Sequence, residues 1–242
     1  KEAVGMHIKF QNIKTQESSH RKNQIQSRRV LAKLLSDLAN YEDAAAQYQA
    51  AGEEAGTDPK GPDLFFNAAV LFEAMGNVES AVNCYDGYMK RSKNKEELGR
   101  TALKIADIYY KNNKMANAID QYQLFLNRYQ GKPETIVEVH WRISDIYKRM
   151  GRKNEATTWE NKTLYIQNKF SPQKKGPGAS YAAKIRFQRA YANFEEMKKI
   201  VLPAEEEKVL KAFKAKEAAY KKLEKELGEV IEYDSGEEII AA

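Results

Sequence analysis

The sequence has little of what most non-helical or secreted folds need. Its 242 residues include only 13 glycines and 6 prolines, too few for the many tight turns of an all-β protein. The single cysteine, Cys84, cannot form a disulfide within the chain, so cysteine usage does not indicate a redox compartment. No run of about 18 apolar residues occurs, so no membrane-spanning helix is predicted. The chain begins at Lys1 without methionine and reads as an excised fragment, and the lack of a signal peptide therefore leaves export open.

The sequence also lacks the residue groupings that catalysis or metal binding requires. The three histidines, His7, His20 and His140, have no second histidine, cysteine or carboxylate at metal-ligand spacing. Neither a Ser-His-Asp nor a Cys-His arrangement can be proposed, and no glycine-rich phosphate loop is present. We therefore predict that the protein is not an enzyme, with no catalytic residues, no metal and no cofactor. His140 is interpreted as a packing or groove residue.

The composition that remains favours helices. Hydrophobic residues make up 42% and charged residues 31%, which is typical of a folded chain rather than a disordered or membrane one. Forty basic and 34 acidic residues give a net charge of +6, which favours acidic partners without selecting among proteins, nucleic acids and lipids. The charges of both signs are mostly interspersed, as on a solvated helical surface.

A repeated pattern of apolar residues runs through the middle of the chain. Small residues spaced by 37, 37 and 38 positions anchor it: Ala44, Ala81, Ala118 and Ala156. An aromatic residue follows the first three alanines by four positions, at Tyr48, Tyr85 and Tyr122. A large residue precedes each of the four alanines by nine positions, at Leu35, Phe72, Tyr109 and Tyr147. Turn residues separate the two patterns, namely Asn40 with Tyr41, Gly76-Asn77, Asn112-Asn113 and Gly151. Such spacing places a small and a bulky residue one helical turn apart on one face, so each unit is predicted to be a helix hairpin that buries its face against the next.

This pattern resembles the tetratricopeptide repeat (TPR) family. The segments that carry the resemblance are "FNAAVLFEAMGNVESAVNCYDGY", "LKIADIYYKNNKMANAIDQYQLF" and "WRISDIYKRMGRKNEATTWENK". The resemblance implies an all-α fold, a right-handed superhelix of antiparallel helix pairs, with four hairpins over residues 25–170. The period of about 37 exceeds the family's usual 34, so longer joints between repeats are expected. The fourth unit departs from the pattern because Glu160 replaces the aromatic residue.

The two ends of the chain are predicted to differ from the repeats. Residues 1–24 fit the end of a preceding repeat plus a connector, and residues 171–180, "SPQKKGPGAS", fit a linker. Residues 181–242 are predicted to form a hairpin of two longer helices, the second opened by Pro203 and three glutamates, and the start of a further helix. This part weakly resembles bacterial gliding-motility and cell-envelope TPR proteins through "AAKIRFQRAYANFEEMKKIVLP" and "GEEIIAA". The resemblance implies a location in the bacterial cell envelope, in the periplasm, with the cytoplasm as the alternative.

In TPR proteins the first helix of each hairpin lines a concave groove, which indicates where a partner would bind. The corresponding positions here are Arg29, Lys33, Phe66, Asn67, Val70, Arg100, Lys104, Asp107, Tyr110, Trp141, Arg142, Asp145 and Lys148. Five of them approach the "carboxylate clamp" by which some TPR cofactors hold a partner's C-terminal carboxylates: Arg29, Lys33, Asn67, Arg100 and Lys104. Lys33 departs from the asparagine of that motif, and the alternative is that these are solvated groove charges.

The sequence thus predicts a non-catalytic scaffold that binds a protein or peptide, with an acidic segment or C-terminus as a favoured ligand. A nucleic-acid or anionic-surface binder that uses the basic faces is the alternative, although the aromatic residues occupy core rather than surface positions. The identity of the partner and the oligomeric state are not determined by the sequence.

Overall fold

The structure, a computed structural model, describes residues 2–11, 18–233 and 236. Every regular element in those residues is an α-helix. In chain order the helices are α1 Glu2–Gln11, α2 Ser18–Asp37, α3 Tyr41–Ala55, α4 Gly61–Ala74, α5 Val78–Arg91, α6 Lys95–Lys111, α7 Met115–Arg128, α8 Pro133–Arg149, α9 Lys153–Phe170, α10 Ala179–Lys198 and α11 Glu206–Ile231.

The helices are divided between two compact units, which are described separately. Residues 1–130 form unit 1, which contains α1 to α7, and residues 131–242 form unit 2, which contains α8 to α11. Helices pack mainly on their neighbours along the chain: α2 on α3, α4 on α5 and α6 on α7 in unit 1, and α8 on α9 and α10 on α11 in unit 2. Short links make these pairs antiparallel. The predicted all-α fold of helix pairs followed by two longer helices, of 20 and 26 residues, is confirmed.

The residues of the repeat pattern form the cores of the hairpins. All four repeat alanines are buried, Ala156 included. Tyr85 and Tyr122, four positions after two of them, are fully enclosed as well. The core of the second hairpin joins Phe72 and Tyr85 to Ile105 and Ile108 of α6, so one hairpin is covered by the next. The spacing of small and bulky residues therefore identified the packed face of each helix correctly.

The turns inside the hairpins use the left-handed backbone conformation that glycine and asparagine adopt most easily. Gly76 and Gly151 both have φ of 74°, and Asn113 has φ of 58°, as the sequence pattern indicated. In the first hairpin the prediction was wrong by one residue, because the left-handed position is Ala39, with φ of 58°. Asn40 instead precedes α3 with φ of −89°, and its side chain contacts Asp43.

The helices and the linker near the two ends of the chain lie close to their predicted positions. Helix α2 already starts at Ser18, within the predicted connector, and the linker 171–180 falls between α9 and α10. Pro203 does not open the last long helix, which begins at Glu206, three residues later. The further helix predicted at the C-terminus lies in residues outside those described, apart from residue 236. The predicted domain limits stay predictions.

Glu160 takes the place of the repeat tyrosine because that position receives two cations in unit 2. The carboxylate is buried, with Lys148 Nζ of α8 at 2.5 Å and Arg189 Nη2 of α10 at 2.7 Å. A buried carboxylate is stable only when its charge is paired and hydrogen-bonded. The departure from the repeat pattern therefore joins the last hairpin to α10, a connection that a tyrosine could not make.

Candidate functional site

The predicted groove residues of unit 1 lie on the first helices of the hairpins, but several make internal contacts. Lys104 Nζ of α6 lies 3.1 Å from Glu73 Oε2 of α4, and it also lies over the ring of Tyr85. The Tyr85 hydroxyl donates to the same Glu73 oxygen over 2.7 Å. Burial and this hydrogen bond raise the pKa of Tyr85. Lys104 thus holds α6 against α4, a role that the sequence did not indicate.

Asp107 has a similar internal role one repeat later. The hydroxyl of the buried Tyr122 donates a hydrogen bond to Asp107 Oδ1 within the third hairpin. Its carboxylate lies 15 residues before the tyrosine, whereas Glu73 lies 12 residues before Tyr85. The two hairpins therefore satisfy equivalent hydroxyls from positions one helical turn apart, and Asp107 is a structural residue. Tyr110, one turn beyond it on α6, is half-buried.

Four further predicted residues of unit 1 are exposed and are together called the exposed basic strip: Arg29 and Lys33 of α2, Asn67 of α4 and Arg100 of α6. Arg100 forms ion pairs with Glu96 at 2.6 Å and Glu97 at 2.9 Å on its own helix. Such exposed pairs contribute about 0 to 1 kcal/mol, so an incoming carboxylate can replace them. The strip contains four of the five residues of the predicted clamp. The fifth, Lys104, is paired with Glu73.

The four predicted groove residues of α8 belong to unit 2 and are engaged there. Trp141 packs against the ring of Tyr181 of α10, with centroids 5.2 Å apart. Lys148 contacts Glu160 and donates to Gln188 Oε1 of α10 over 2.6 Å. Arg142 pairs with Glu138, and Asp145 pairs with Arg149, both along α8. Helix α10 therefore contacts two of the four positions on α8, Trp141 and Lys148, where the sequence predicted a partner.

A cavity opens at the N-terminal ends of α4 and α6 in unit 1 and continues the groove. Its volume is about 780 Å³, and its walls come from the α3–α4 loop and the α5–α6 loop. Phe66 and Tyr88 supply its aromatic wall. The Phe66 ring stands edge-on to Tyr85 and Tyr88, with centroids 5.6 and 5.4 Å away, so its orientation is fixed. Val70, one turn further along α4, extends the apolar surface and is exposed.

Charged side chains of both signs surround this aromatic wall. Lys90, Arg91 and Lys93 lie on one side, and Asp58, Asp63 and Glu97 complete the rim. Arg91 is held in place, since its guanidinium lies 4.5 Å from the centre of the Phe65 ring and donates to the Gly87 carbonyl. Glu97 connects the cavity to the exposed basic strip because it also pairs with Arg100. The arrangement is suited to an apolar side chain that is followed by charged residues.

The cavity was only partly predictable from the sequence. Phe66 was among the predicted groove residues, but the basic turn that includes Lys90 and Lys93 was interpreted as a solvated surface. The missed signal is the segment "GTDPKGPD", residues 56–63, which forms the opposite wall. Its two prolines and two glycines make the joint between the first two hairpins long. That length separates the loops enough to leave a cavity.

Other side chains that could take part in a reaction or bind a metal are buried or half-buried. Burial raises the pKa of the Cys84 thiol to about 11, so its reactive thiolate is disfavoured. His140 packs against the Trp159 ring at 5.5 Å, with its Nδ1 2.8 Å from the Ile136 carbonyl, which agrees with a packing role. The described part of the chain contains no group of three or more metal-ligating side chains, and none of its helices is long and apolar enough to cross a membrane. That the protein is not an enzyme stays a prediction.

Comparison with known proteins supports the repeat assignment at one hairpin. Residues 100–131 match the family model of the tetratricopeptide repeat, and they correspond to α6 and α7. No curated protein matches the chain. Similar solved structures include BtubC from P. vanneervenii, with 15% identity over 69% of this chain and 71% of that one, at a TM-score of 0.43. A MamA protein is 14% identical over 71% of this chain and 95% of that one, at a TM-score of 0.43. A putative kinesin light chain with nearly identical TPR-like repeats from Podospora anserina is 14% identical over 82% of this chain and 96% of that one, at a TM-score of 0.45.

Proposed function

We propose that this helical-repeat protein is a non-catalytic scaffold that binds a segment of a partner protein in unit 1. The observation that carries the proposal is the cavity of about 780 Å³ with its fixed aromatic wall of Phe66 and Tyr88. A cavity of that size holds one or two large side chains, and aromatic anchors in such pockets dominate the binding energy of interfaces. The ligand's anchor is therefore an apolar or aromatic residue.

The charges beside the cavity favour an acidic sequence next to that anchor. Arg29, Lys33 and Arg100 form the exposed basic strip, and Glu97 links the strip to the cavity. A ligand carboxylate that displaces Glu96 and Glu97 from Arg100 replaces two weak exposed ion pairs with a new one, which costs little. A charge-assisted hydrogen bond to the arginine then adds specificity. The carboxylate-clamp interpretation of these residues remains part of the proposal.

A fluorescently labelled peptide with one phenylalanine followed by several glutamates tests both features by anisotropy titration. The variant Lys33→Glu with Arg100→Glu, both exposed residues of the strip, is expected to weaken binding at least about tenfold, since two attractive contacts become repulsive. The matched control is Lys95→Glu with Arg128→Glu, which makes the same charge change at exposed positions of unit 1 outside the cavity and the strip. Equal affinity in the two double variants would reject the acidic-segment proposal.

Salt dependence separates this function from nucleic-acid or anionic-surface binding through the basic faces. Phosphate contacts release counterions, so such binding falls by about three orders of magnitude or more between low and moderate salt when six or more phosphates are neutralised. A peptide held by an aromatic anchor is expected to lose far less. A role in a bacterial envelope or motility-type assembly, in the periplasm, rests on the C-terminal resemblance and is tested by locating the tagged protein in fractionated cells.

A further inference from the structure

The hairpin of α10 and α11 in unit 2 has one face that its own packing leaves uncovered. Three polar contacts join the two helices: Arg186 pairs with Glu229, Asn193 donates to Glu226, and Lys216 donates to the carbonyl of Ile200, just beyond the end of α10. On α10 the contact line is therefore residues 186, 193 and 200. On α11 the residues that contact α10 are 216, 226 and 229, and the half-buried positions 212, 219 and 226, which are seven residues apart, are taken as its contact line.

Apolar residues occupy the position directly after each residue of these contact lines. On α10 and just beyond its end these are Phe187, Phe194 and Val201, and on α11 they are Phe213, Tyr220 and Leu227. One residue corresponds to about 100° around a helix axis. In an antiparallel pair, the same rotation from the contact line brings both rows to the same side of the hairpin. The two rows together with Tyr191 are called the aromatic face.

Four of the seven residues of the aromatic face are exposed, whereas Phe187, Phe194 and Leu227 are half-buried. Tyr191 is 53% exposed, Phe213 54%, Tyr220 57% and Val201 77%. The Tyr191 ring lies 6.2 Å from Phe187 and 6.1 Å from Phe194, so the three rings form a row along α10. On the opposite side, the residues directly before the contact lines include Ala192, Lys199, Lys211, Ala218 and Lys225. The exposed apolar residues of the hairpin are thus concentrated on one side, with Leu210 as an exposed apolar residue of α11 outside the two rows.

The size of the aromatic face agrees with that of a dimer interface. A large apolar side chain that is half exposed presents about 100 Å², so the four exposed residues present roughly 400 Å², and the three half-buried ones bring the apolar surface to roughly 500 Å². Interfaces are about 57% apolar, which corresponds to roughly 900 Å² of surface per partner. A stable interface of standard size buries about 800 Å² on each side.

The charges that border the aromatic face select the occupant. Glu195 pairs with Lys198 on α10 at 3.2 Å, and Glu217 pairs with Lys221 on α11 at 2.8 Å, so each margin carries both signs. An anionic lipid surface or an acidic protein would select margins of one positive sign. In a two-fold contact the same patch meets itself, which requires both signs on one surface. We propose that the aromatic face binds the same face of a second copy of this chain, so that two hairpins form a four-helix bundle.

Sedimentation velocity of the whole chain at micromolar concentrations tests this directly. The wild type is expected to show twice the mass of the 27.7 kDa chain. The variant Tyr191→Glu with Tyr220→Glu, which introduces two charges on the exposed face, is expected to raise the dimer dissociation constant by about 100-fold or more. The matched control, Ala192→Glu with Ala218→Glu, adds the same charges on the opposite side and is expected to dimerise like the wild type.

Two results would overturn the inference. One is a wild-type chain that stays at 27.7 kDa up to about 100 μM, a concentration at which an interface of this size associates. The other is an equal loss of dimer in both double variants, or in neither, because the contact would then not involve the aromatic face. Circular dichroism of all three proteins verifies that the helices are retained. Peptide binding in unit 1 is measured separately, so the two proposals fail independently.

Discussion

The two units place different chemistry at the same repeat position, four residues after the repeat alanine. In unit 1 the position holds Tyr85 and Tyr122, whose hydroxyls donate to carboxylates of the preceding helix. In unit 2 it holds Glu160, which receives Lys148 from the preceding helix and Arg189 from α10. The cross-helix polar contact is kept, but donor and acceptor are exchanged. Since Tyr85 packs against Ile105 and Ile108 of the next hairpin of unit 1, a neutral hydroxyl is sufficient there.

The two units also differ in what remains available on their surfaces. The first helices of unit 1 keep an exposed basic strip and a cavity beside Phe66. In unit 2 the equivalent residues Trp141 and Lys148 are in contact with α10. The exposed apolar surface of unit 2 is instead the aromatic face of the α10–α11 hairpin. The added hairpin thus removes one binding surface and supplies another. Ligand binding is expected in unit 1 and self-association in unit 2.

Removing the carboxylate of Glu160 is expected to have the largest effect on this comparison. Glu160→Ala leaves two cations without their partner, which for a fully buried pair costs about 3 to 5 kcal/mol. Lys148 and Arg189 keep 37% and 35% of their side chains exposed, so water compensates in part and we expect about 3 kcal/mol. Urea unfolding followed by tryptophan fluorescence measures it, because both tryptophans, Trp141 and Trp159, lie in unit 2.

Tyr85 holds the position in unit 1 that Glu160 holds in unit 2, and its substitution tests the same contact there. Tyr85→Phe removes a single hydrogen bond to Glu73, which keeps Lys104 as a partner, and we expect a loss of about 1 kcal/mol. Labelling of the buried Cys84 thiol during urea unfolding reports on unit 1. Equal losses for the two substitutions would contradict the idea that unit 2 depends on charge at this position and unit 1 does not.

A pair of glycine substitutions is expected to change stability in opposite directions in the two units. The Phe65 ring of unit 1 lies between Gly87 of α5 and Gly52 of α3, and a Cβ added at Gly87 would lie 2.6 Å from it. Because Gly52 blocks the ring on its other side, Gly87→Ala is expected to destabilise unit 1 by about 2 kcal/mol, despite the better helix propensity of alanine. Thermal unfolding by circular dichroism and Cys84 labelling measure this effect.

Gly228 in α11 is the matched control for this substitution. Nothing lies within 4 Å of a Cβ added there, so Gly228→Ala gains only helix propensity and is expected to stabilise unit 2 by about 0.5 to 1 kcal/mol. If both substitutions stabilise the protein, the close approach at Phe65 is not a constraint on the fold.

How far the sequence determines these features depends on the range of the interaction. The repeat alanines and Tyr85 were recognisable as core because helical periodicity fixes which residues share a face. The pairing of Lys104 with Glu73, and of Asp107 with Tyr122, was not, since it depends on the rotation of each helix against its neighbour. The covering of Trp141 by α10 was missed for the same reason, because a spacing pattern does not show where a non-repeat helix packs.

Ionisation of two buried groups, Cys84 in unit 1 and His140 in unit 2, is expected to weaken the protein at opposite ends of the pH range. In unit 1, burial raises the pKa of the Cys84 thiol from 9.0 to about 11. The unfolded thiol loses its proton from about pH 9 while the folded one keeps it, so stability present below pH 9 falls as the pH rises towards 11. Since each pKa unit corresponds to about 1.4 kcal/mol, we expect a loss of about 2 kcal/mol. Tyr85, whose pKa is also raised, acts in the same direction.

In unit 2 the group that titrates is His140, and the sign is reversed. Burial lowers its pKa from 6.5, more strongly than the Ile136 carbonyl raises it, and Lys162 lowers it further. The unfolded imidazole takes up a proton below about pH 6.5 while the folded one resists, so stability present above that pH falls as the pH falls through the folded value. Urea midpoints measured from pH 5 to 10.5 separate the two effects. Cys84→Ala should flatten the alkaline decrease in stability, which is followed by circular dichroism. His140→Gln should flatten the acidic decrease in stability, which is followed by tryptophan fluorescence. Persistence of either decrease in its own variant would assign it to other groups.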